Sequence, residues 1–288
     1  MARRGQKRRS RGRRGIGCVG VALALFLVGA AGGAWLVSTR PSLPATSLTG
    51  RCVATANEQS VSVTLEQAHY ASIISAISVQ RGLPPRAATI ALATAYQESG
   101  IRNLDYGDRD SLGLFQQRPS QGWGTVEEIT DPVHATNAFY DALVKIDDWQ
   151  NGDINDTAQA VQRSGYPEAY RKHEPDARIL ASVLTGHSPG GLTCTAKDPE
   201  RGGPHKTIDA LQTAFGPLPL EEVDADGTRA LTFHSDTDAT QWAVAHFAIA
   251  NANQLGITQV QVGSRVWTAS DSEQWADAEG PAGVTIRF

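Results

Sequence analysis

Acidic residues are absent from the beginning of this chain, since no Asp or Glu occurs before Glu58. The first 14 residues carry eight arginines and lysines, and residues 16–37 then contain no charged side chain. An uncharged helix of that length extends roughly 33 Å, enough to cross a hydrocarbon core of about 30 Å. Because the basic side of such a segment stays in the cytoplasm, we expect residues 1–15 inside, a transmembrane helix at 16–37 and the remainder outside the cell membrane.

The same uncharged stretch is also compatible with a secretory signal that is cleaved after export. Small residues at 29–34 suit cleavage, but the apolar run is longer than the core of a usual signal. A single-pass anchored form and a secreted form therefore both remain open. Cys18 lies at the start of the apolar run, where a lipid-attachment cysteine does not occur.

Positive charge is scarce after the N-terminal arm. The whole chain has a formal charge of −4, but the residues after position 14 include 18 basic and 30 acidic side chains. Such an acidic balance of −12 argues against nucleic acid as a partner.

Cysteine is also rare, with three in 288 residues. Two of them, Cys52 and Cys194, lie in the part of the chain predicted to be exported, which favours a disulfide over two free thiols. Closing so long a loop would stabilise the fold by about 4–5 kcal/mol in the chain-entropy model.

Local signals divide the rest of the chain. Residues 38–51 are rich in Ser, Thr and Pro and indicate a linker. Residues 52–194 are predicted to be mostly helical, with one functional loop at 99–125. Residues 195–206 form a second linker, and residues 207–288 a small α+β domain with a hairpin at 257–268 and a last strand. The predicted fold class is therefore α+β, with an N-terminal transmembrane helix.

Three local signals mark helix ends. Thr64 with Gln67 forms a capping box, and Asp131 before Pro132 is typical of an N-cap. Gly100 is expected to end the alanine-rich helix that carries Glu98.

Glu98 is the strongest candidate for chemistry. It lies in the last turn of that helix, where the helix dipole disfavours a negative charge and so favours the protonated acid. A glycosidase needs such an acid, kept protonated by an apolar environment. The alternative is a glutamate that merely forms a salt bridge at a helix end.

Two short motifs carry a resemblance to a known family. Glu98-Ser99 and Gly113-Leu114-Phe115-Gln116, with Pro119 behind them, are similar to the active-site region of lysozyme-like lytic transglycosylases. The resemblance covers about 100 residues. It implies a lysozyme-like fold, a peptidoglycan substrate, no cofactor, and Glu98 as the catalytic residue.

The resemblance also implies a set of substrate-binding residues. Gln116 and the backbone at Gly113 would position the sugar, and Ser99 would orient the acid. The predicted substrate-binding residues are Ser99, Ser111, Gly113, Gln116, Gln117, Trp123 and Tyr166.

The chain departs from the family in one place. The family carries a late Tyr-Asn-Ala-Gly segment whose tyrosine faces the acid, and residues 160–167 lack the Tyr-Asn pair. Gln162 and Tyr166 are the candidates to replace it.

Asp105, Asp108 and Asp110 lie in the functional loop. They would supply a second carboxylate for hydrolysis, form turns, or bind calcium, although the EF-hand pattern is absent. Without a second carboxylate, the hydroxyl of the sugar itself can attack, which gives an anhydro product.

The last domain resembles zinc D-alanyl-D-alanine peptidases more loosely, through residues 243–268. The positions that would supply zinc ligands hold Ala225 and Thr232, and the last strand has no histidine. A catalytic zinc needs three protein ligands, so we predict that no metal binds. The remaining candidate histidines are His234 and His246, and we expect His246 to be packed within a helix. The domain would then bind wall peptide or a cell-wall protein partner.

The predicted function is a membrane-anchored, extracytoplasmic enzyme that cleaves peptidoglycan glycan strands. The alternative is a non-catalytic wall-binding or assembly scaffold with degenerate lysozyme and peptidase domains. A third hypothesis is an inhibitor or regulator of another wall enzyme.

Overall fold

The computed structural model describes residues 50–195, 202–225, 228–270 and 274–288. We call 50–195 the N-terminal section and the described residues from 202 onward the C-terminal section. The helices are α1 (Leu65–Gln80), α2 (Pro85–Ser99), α3 (Val126–Thr130), α4 (Pro132–Leu143), α5 (Ile154–Gln162), α6 (Glu174–Leu184), α7 (Pro204–Phe215), α8 (Asp238–Ala250) and α9 (Ala252–Leu255). The strands are β1 (Arg51–Ala56), β2 (Gln59–Thr64), β3 (Leu192–Cys194), β4 (Leu220–Ala225), β5 (Thr228–Phe233), β6 (Gln259–Val262), β7 (Arg265–Thr268), β8 (Ala276–Asp277) and β9 (Val284–Arg287).

A small antiparallel sheet joins the two ends of the N-terminal section. Its order is β2-β1-β3, and the register places Cys52 opposite Cys194. These two cysteines form a disulfide with a Cα–Cα distance of 4.0 Å. The predicted disulfide is therefore confirmed, whereas the three strands were missed in a region predicted to be mostly helical.

Helix α2 runs through the middle of the N-terminal section. Its five alanines are all fully buried, and it packs against α1, α5 and α6. Small side chains allow neighbouring helices to approach closely, so a helix rich in alanine suits this central place. Gly100 ends the helix in the left-handed conformation, as predicted.

The other local helix signals are also confirmed. Thr64 and Gln67 form both hydrogen bonds of a capping box at the start of α1. The Asp131 side chain accepts from the backbone N–H groups of Val133 and His134 at the start of α4.

The C-terminal section is built on a six-stranded antiparallel sheet with the order β4-β5-β9-β6-β7-β8. Its register aligns Leu231, Ile286, Val260 and Trp267 across four strands, and all four side chains are buried. Helix α8 packs against β6 and β9. The predicted hairpin and last strand are present. The β4–β5 hairpin was not predicted.

The two sections share a buried polar contact. Asn251, at the end of α8, donates to the Ser72 hydroxyl at 3.0 Å and faces the His69 ring at 2.5 Å. The His246 ring contacts the Val183 carbonyl oxygen at 2.7 Å. A buried polar group that is left without a partner destabilises the fold. These bonds therefore fix how α8 lies on α1 and α6.

The predicted fold class is wrong in its transmembrane helix. Within the part of the chain that the structure describes, no helix is both long enough and apolar enough to cross a bilayer. The 16 residues of α1 extend only about 24 Å, short of a hydrocarbon core of about 30 Å. The span predicted at 16–37 lies outside the described residues. The observed fold is thus α+β, with helices and two antiparallel sheets.

Candidate active site

Glu98 lies in the last turn of α2, where the chain leaves the helix. Gly100 and Ile101 both have positive φ angles, 66° and 54°. Two successive residues in this conformation turn the chain sharply away from the helix axis. The carboxyl group of Glu98 is therefore carried by a rigid helix and not by the loop that follows it.

The environment of Glu98 raises its pKa. Burial disfavours the charged carboxylate and is the largest cause, while hydrogen bonds from Tyr170 and Gln162 lower the pKa in part. The Tyr170 hydroxyl donates to Glu98 Oε1 at 2.7 Å. No ion pair involving Glu98 is found among the described residues. The arrangement favours a carboxyl group that keeps its proton to higher pH than an exposed glutamate.

Tyr170 is the residue that the sequence interpretation missed. Its side chain is fully buried, and burial holds the pKa of its hydroxyl well above the usual value. Tyr166, one of the two predicted candidates for this place, is 78% exposed. The available signal was a second tyrosine four positions after Tyr166.

Gln162, the other candidate, contributes differently. Its amide nitrogen donates to the Phe115 carbonyl oxygen at 2.8 Å, and the same amide lowers the pKa of Glu98. Gln162 therefore connects the end of α5 to the loop beside the acid.

The loop after Glu98 is held in place by backbone and side-chain bonds. The Ser99 hydroxyl donates to the Leu114 carbonyl oxygen at 2.7 Å, and Leu112 and Gln117 exchange two backbone hydrogen bonds. Ser99 thus attaches the loop to the helix that carries the acid.

Gly113 fits only because it lacks a side chain. Its φ is 74°, and a Cβ atom here would lie 2.5 Å from the Ile129 carbonyl oxygen. Its N–H donates to the Leu104 carbonyl oxygen at 2.7 Å. This N–H group is therefore already hydrogen-bonded within the protein. The role of Gly113 is to allow the conformation of the loop.

A cleft of about 790 Å³ opens beside Glu98. Six of the predicted site residues line it, namely Glu98, Ser111, Gln116, Gln117, Trp123 and Tyr166. Ser99 and Gly113 are not among its lining residues. The structure therefore brings most of the predicted residues together and gives these two a place behind the cleft wall.

Gln116 and Gln117 differ in what they offer to a ligand. Gln116 has a φ of 47°, and its side-chain nitrogen donates to the carbonyl oxygens of Tyr106 and Gly113, both at 3.3 Å. Gln117 is 2% exposed, its side-chain nitrogen donates to the Ala135 carbonyl oxygen, and its Oε1 has no hydrogen-bond partner among the described residues. An unpaired buried acceptor at a cleft wall suits a hydroxyl group or a water molecule.

The loop aspartates have separate positions. Asp110 accepts hydrogen bonds from Ser120 and Arg118, and these hold its pKa far below the usual range. Asp108 lines the cleft, but its side chain is 94% exposed. Asp105 is exposed. Of the three, only Asp108 shares the cleft with Glu98.

His234 and His246, the two candidate histidines of the C-terminal section, have different surroundings. His246 is fully buried between Trp242 and Trp275, and burial lowers its pKa to about 4. The His234 ring lies against Gly283. Among the described residues, no three His, Cys, Asp or Glu side chains are grouped to hold a metal ion. The absence of zinc stays a prediction.

The chain was compared with protein-family models and with curated proteins, and neither comparison finds a match.

Proposed function

We propose that this protein cleaves the glycan strands of peptidoglycan, with Glu98 as general acid and then general base. The observation that carries the proposal is a partly buried carboxyl group with a raised pKa, held by a buried tyrosine at the wall of an open cleft. Glycoside cleavage needs this kind of acid, because the leaving oxygen is weakly basic and must be protonated as the bond breaks. The resemblance of Glu98-Ser99 and the Gly113–Gln116 motif to lytic transglycosylases supports the same function.

The proposed reaction has two proton transfers. In the first, Glu98 gives its proton to the bridging oxygen, and the bond from that oxygen to the anomeric carbon breaks with its electron pair moving to the oxygen. In the second, the Glu98 carboxylate takes a proton from the hydroxyl group that attacks the anomeric carbon. Glu98 then has its proton again, and no cofactor is consumed.

The attacking hydroxyl group determines the product. Attack by the C6 hydroxyl of the same sugar gives an anhydro product, and attack by water gives hydrolysis. A two-carboxylate hydrolase needs a second ionised group near the reacting carbon. Asp110 is engaged by Arg118 and Ser120, and Asp108 is nearly fully exposed. This arrangement favours the anhydro product.

Tyr170 and Gln162 are positioning residues in this proposal. The hydroxyl of Tyr170 is fixed by burial and bonds one carboxyl oxygen, which limits the rotation of the Glu98 side chain. Holding an acid in the reactive orientation accelerates a reaction without adding chemistry. Trp123 and the exposed Tyr166 offer aromatic faces for sugar rings at the same cleft.

Two observations bear on where the protein works and on its second section. A disulfide persists in oxidising compartments, so the Cys52–Cys194 bond favours a location outside the cytoplasm. The C-terminal section, joined to α1 and α6 through buried polar contacts, is proposed to present the catalytic section to the wall or to a wall protein.

The test is digestion of purified peptidoglycan by the full chain, with the released muropeptides measured by mass. We expect release by the wild type and by Glu66→Gln, which alters an exposed glutamate in the first turn of α1. We expect no release by Glu98→Gln. A mass lower by one water would identify the anhydro product.

Two other results would contradict the proposal. If neither the wild type nor Glu98→Gln releases fragments, while both bind intact walls, the glycosidase proposal is overturned in favour of the non-catalytic scaffold. Release that persists in Glu98→Gln would assign the chemistry to another residue.

A further inference from the structure

The charged side chains that line the cleft differ in sign from the rest of the protein. Beside Glu98 and Asp108, the cleft is lined by three arginines, Arg109, Arg118 and Arg163. The chain after position 14 has 18 basic and 30 acidic residues. A cleft that gathers positive charge on an acidic protein favours an anionic ligand.

The three arginines are not equally available. Arg118 is engaged by Asp110 at 2.7 Å. Among the ion pairs between described residues, Arg109 is paired with Asp108 alone, at 3.9 Å. Among the ion pairs between described residues, none includes Arg163, whose side chain is exposed. Arg163 is therefore the least committed of these cations.

The backbone at Arg163 is the second observation. The residue caps the C-terminus of α5 in the left-handed conformation, with a φ of 52°. Glycine or asparagine fits this place at lower conformational cost. Strained residues of this kind cluster at functional sites, so the arginine side chain is a candidate for a functional role.

The cleft continues past Arg163 into a neighbouring pocket. Gly165 and Tyr166 line both, and the neighbouring pocket, of about 550 Å³, also includes Gln97 and Lys172. Its one acidic residue, Glu168, is paired with Arg171 at 2.9 Å. Lys172 is exposed and lies outside the ion pairs found between described residues.

We propose that Arg163 and Lys172 select glycans that carry an acidic peptide, by binding its carboxylates as the peptide passes from the cleft over Tyr166 into the neighbouring pocket. The inference rests on the proposed function, because it takes a glycan as the occupant of the cleft. It goes beyond that function by assigning specificity to two residues outside the catalytic group. Charge complementarity carries it, since Arg163 and Lys172 line two pockets that share Gly165 and Tyr166.

The test measures binding of three probes to the full chain in a Glu98→Gln background, which prevents turnover. The probes are neutral chitohexaose, peptide-stripped glycan strands that keep their lactyl carboxylates, and strands with intact peptides. We expect the intact strands to bind most tightly. Arg163→Gly with Lys172→Gln should raise their Kd by about 3- to 10-fold at low salt and leave chitohexaose binding unchanged, because exposed charge pairs are weak and screened by salt.

Matched controls separate charge from folding. Arg102→Gln with Lys145→Gln removes two exposed cations that do not line either pocket, and it should leave all three affinities unchanged. Arg163→Gly should keep or raise the melting temperature, since glycine suits the left-handed conformation. A lower affinity in a variant that is no less stable would exclude unfolding as the cause.

The outcomes of the two proposals are distinguishable. Equal binding of all three probes, or an intact-strand Kd that is unchanged in the double variant, overturns the specificity inference even if the wild type cleaves peptidoglycan. Equal binding of stripped and intact strands also overturns it, because the lactyl carboxylate would then be sufficient. Arg163-dependent binding without cleavage by the wild type would leave the inference standing and overturn only the glycosidase.

Discussion

At the scale of single residues, the hydroxyl group of Tyr170 changes the pKa of Glu98, and the direction of this change can be measured. It donates to the carboxylate at 2.7 Å and so lowers the pKa of Glu98 against the larger effect of burial. Tyr170→Phe removes this donor. We expect the pKa of Glu98 to rise further, so that the alkaline limb of the pH–activity profile moves to higher pH. We also expect kcat to fall, because the acid is less well held.

The profile of muropeptide release against pH measures this effect. Tyr166→Phe is the matched control, since it removes a hydroxyl group from an exposed tyrosine of the same cleft. Its alkaline limb should stay in place. An alkaline limb that moves to lower pH in Tyr170→Phe would contradict the assigned direction of the hydrogen bond.

Glu98 is also predicted to lower the stability of the protein at neutral pH. Because its pKa is raised on folding, the folded state binds the proton more tightly than the unfolded chain does. Ionisation therefore reduces the free energy of unfolding as the pH rises above the ordinary range of a carboxyl group. We expect Glu98→Gln to be inactive and yet more stable than the wild type at pH 8, with the difference shrinking below about pH 4.

Urea unfolding at the two pH values measures that difference. Glu66→Gln provides the comparison, because Glu66 is exposed on α1. The interpretation fails if Glu98→Gln is less stable than the wild type at pH 8, or if the difference is the same at both pH values.

At the scale of elements, the loop that supplies much of the cleft wall depends on Gly113. Alanine would place a Cβ atom 2.5 Å from the Ile129 carbonyl oxygen at a backbone with a φ of 74°. We expect Gly113→Ala to destabilise the fold by about 2–3 kcal/mol, through strain and a backbone collision, and to reduce cleavage.

Gly122→Ala separates the two causes. Gly122 has a φ of 81°, but nothing lies within 4 Å of the Cβ position. This variant should lose about 1 kcal/mol from conformational strain alone. Thermal unfolding of both variants gives the comparison, and equal losses would show that the collision with Ile129 is relieved.

Local elements were the most predictable part of the fold. The capping box at Thr64, the N-cap at Asp131 and the glycine end of α2 depend on side chains within a few positions of each other. Strand β3 was missed because it pairs with β1 across 142 positions, a contact that leaves no local signal. Strands β1 and β2 form a local hairpin with Ala56 opposite Gln59, and the sequence interpretation overlooked it. Residues 238–255 form two helices, α8 and α9, that meet at Asn251. The Asn251 side chain bonds back to Phe247 and across to Ser72, a long-range contact that no local pattern marks.

In the candidate site too, local motifs were predictable from the sequence and a long-range contact was not. The Glu98 and Gln116 motifs were visible in the sequence, and both residues line the cleft. Tyr170 follows an irregular segment after α5, and its contact with Glu98 spans 72 positions. No periodic pattern marks a residue in such a segment.

At the scale of the whole molecule, the disulfide closes nearly the entire N-terminal section. The bonded cysteines are separated by 142 positions, so replacing both by serine should lower the free energy of unfolding by about 4–5 kcal/mol in the chain-entropy model. Urea unfolding without reductant measures this loss. Cys18→Ser, which removes the cysteine that lies outside the described residues, should leave the value unchanged. A loss below about 1 kcal/mol would contradict the model for this loop.

The disulfide also determines how the molecule carries mechanical load. Arg51 and Thr195 lie at the two ends of the N-terminal section, and the backbone N–H of Thr195 donates to the Arg51 carbonyl oxygen at 2.9 Å. Tension applied across these two points passes through the Cys52–Cys194 bond and the short β1–β3 ladder. The residues that line the cleft lie between these two points in the sequence, so the tension does not pass through them. The spacing of Glu98 and Tyr170 is therefore insulated from a pull applied at Arg51 and Thr195.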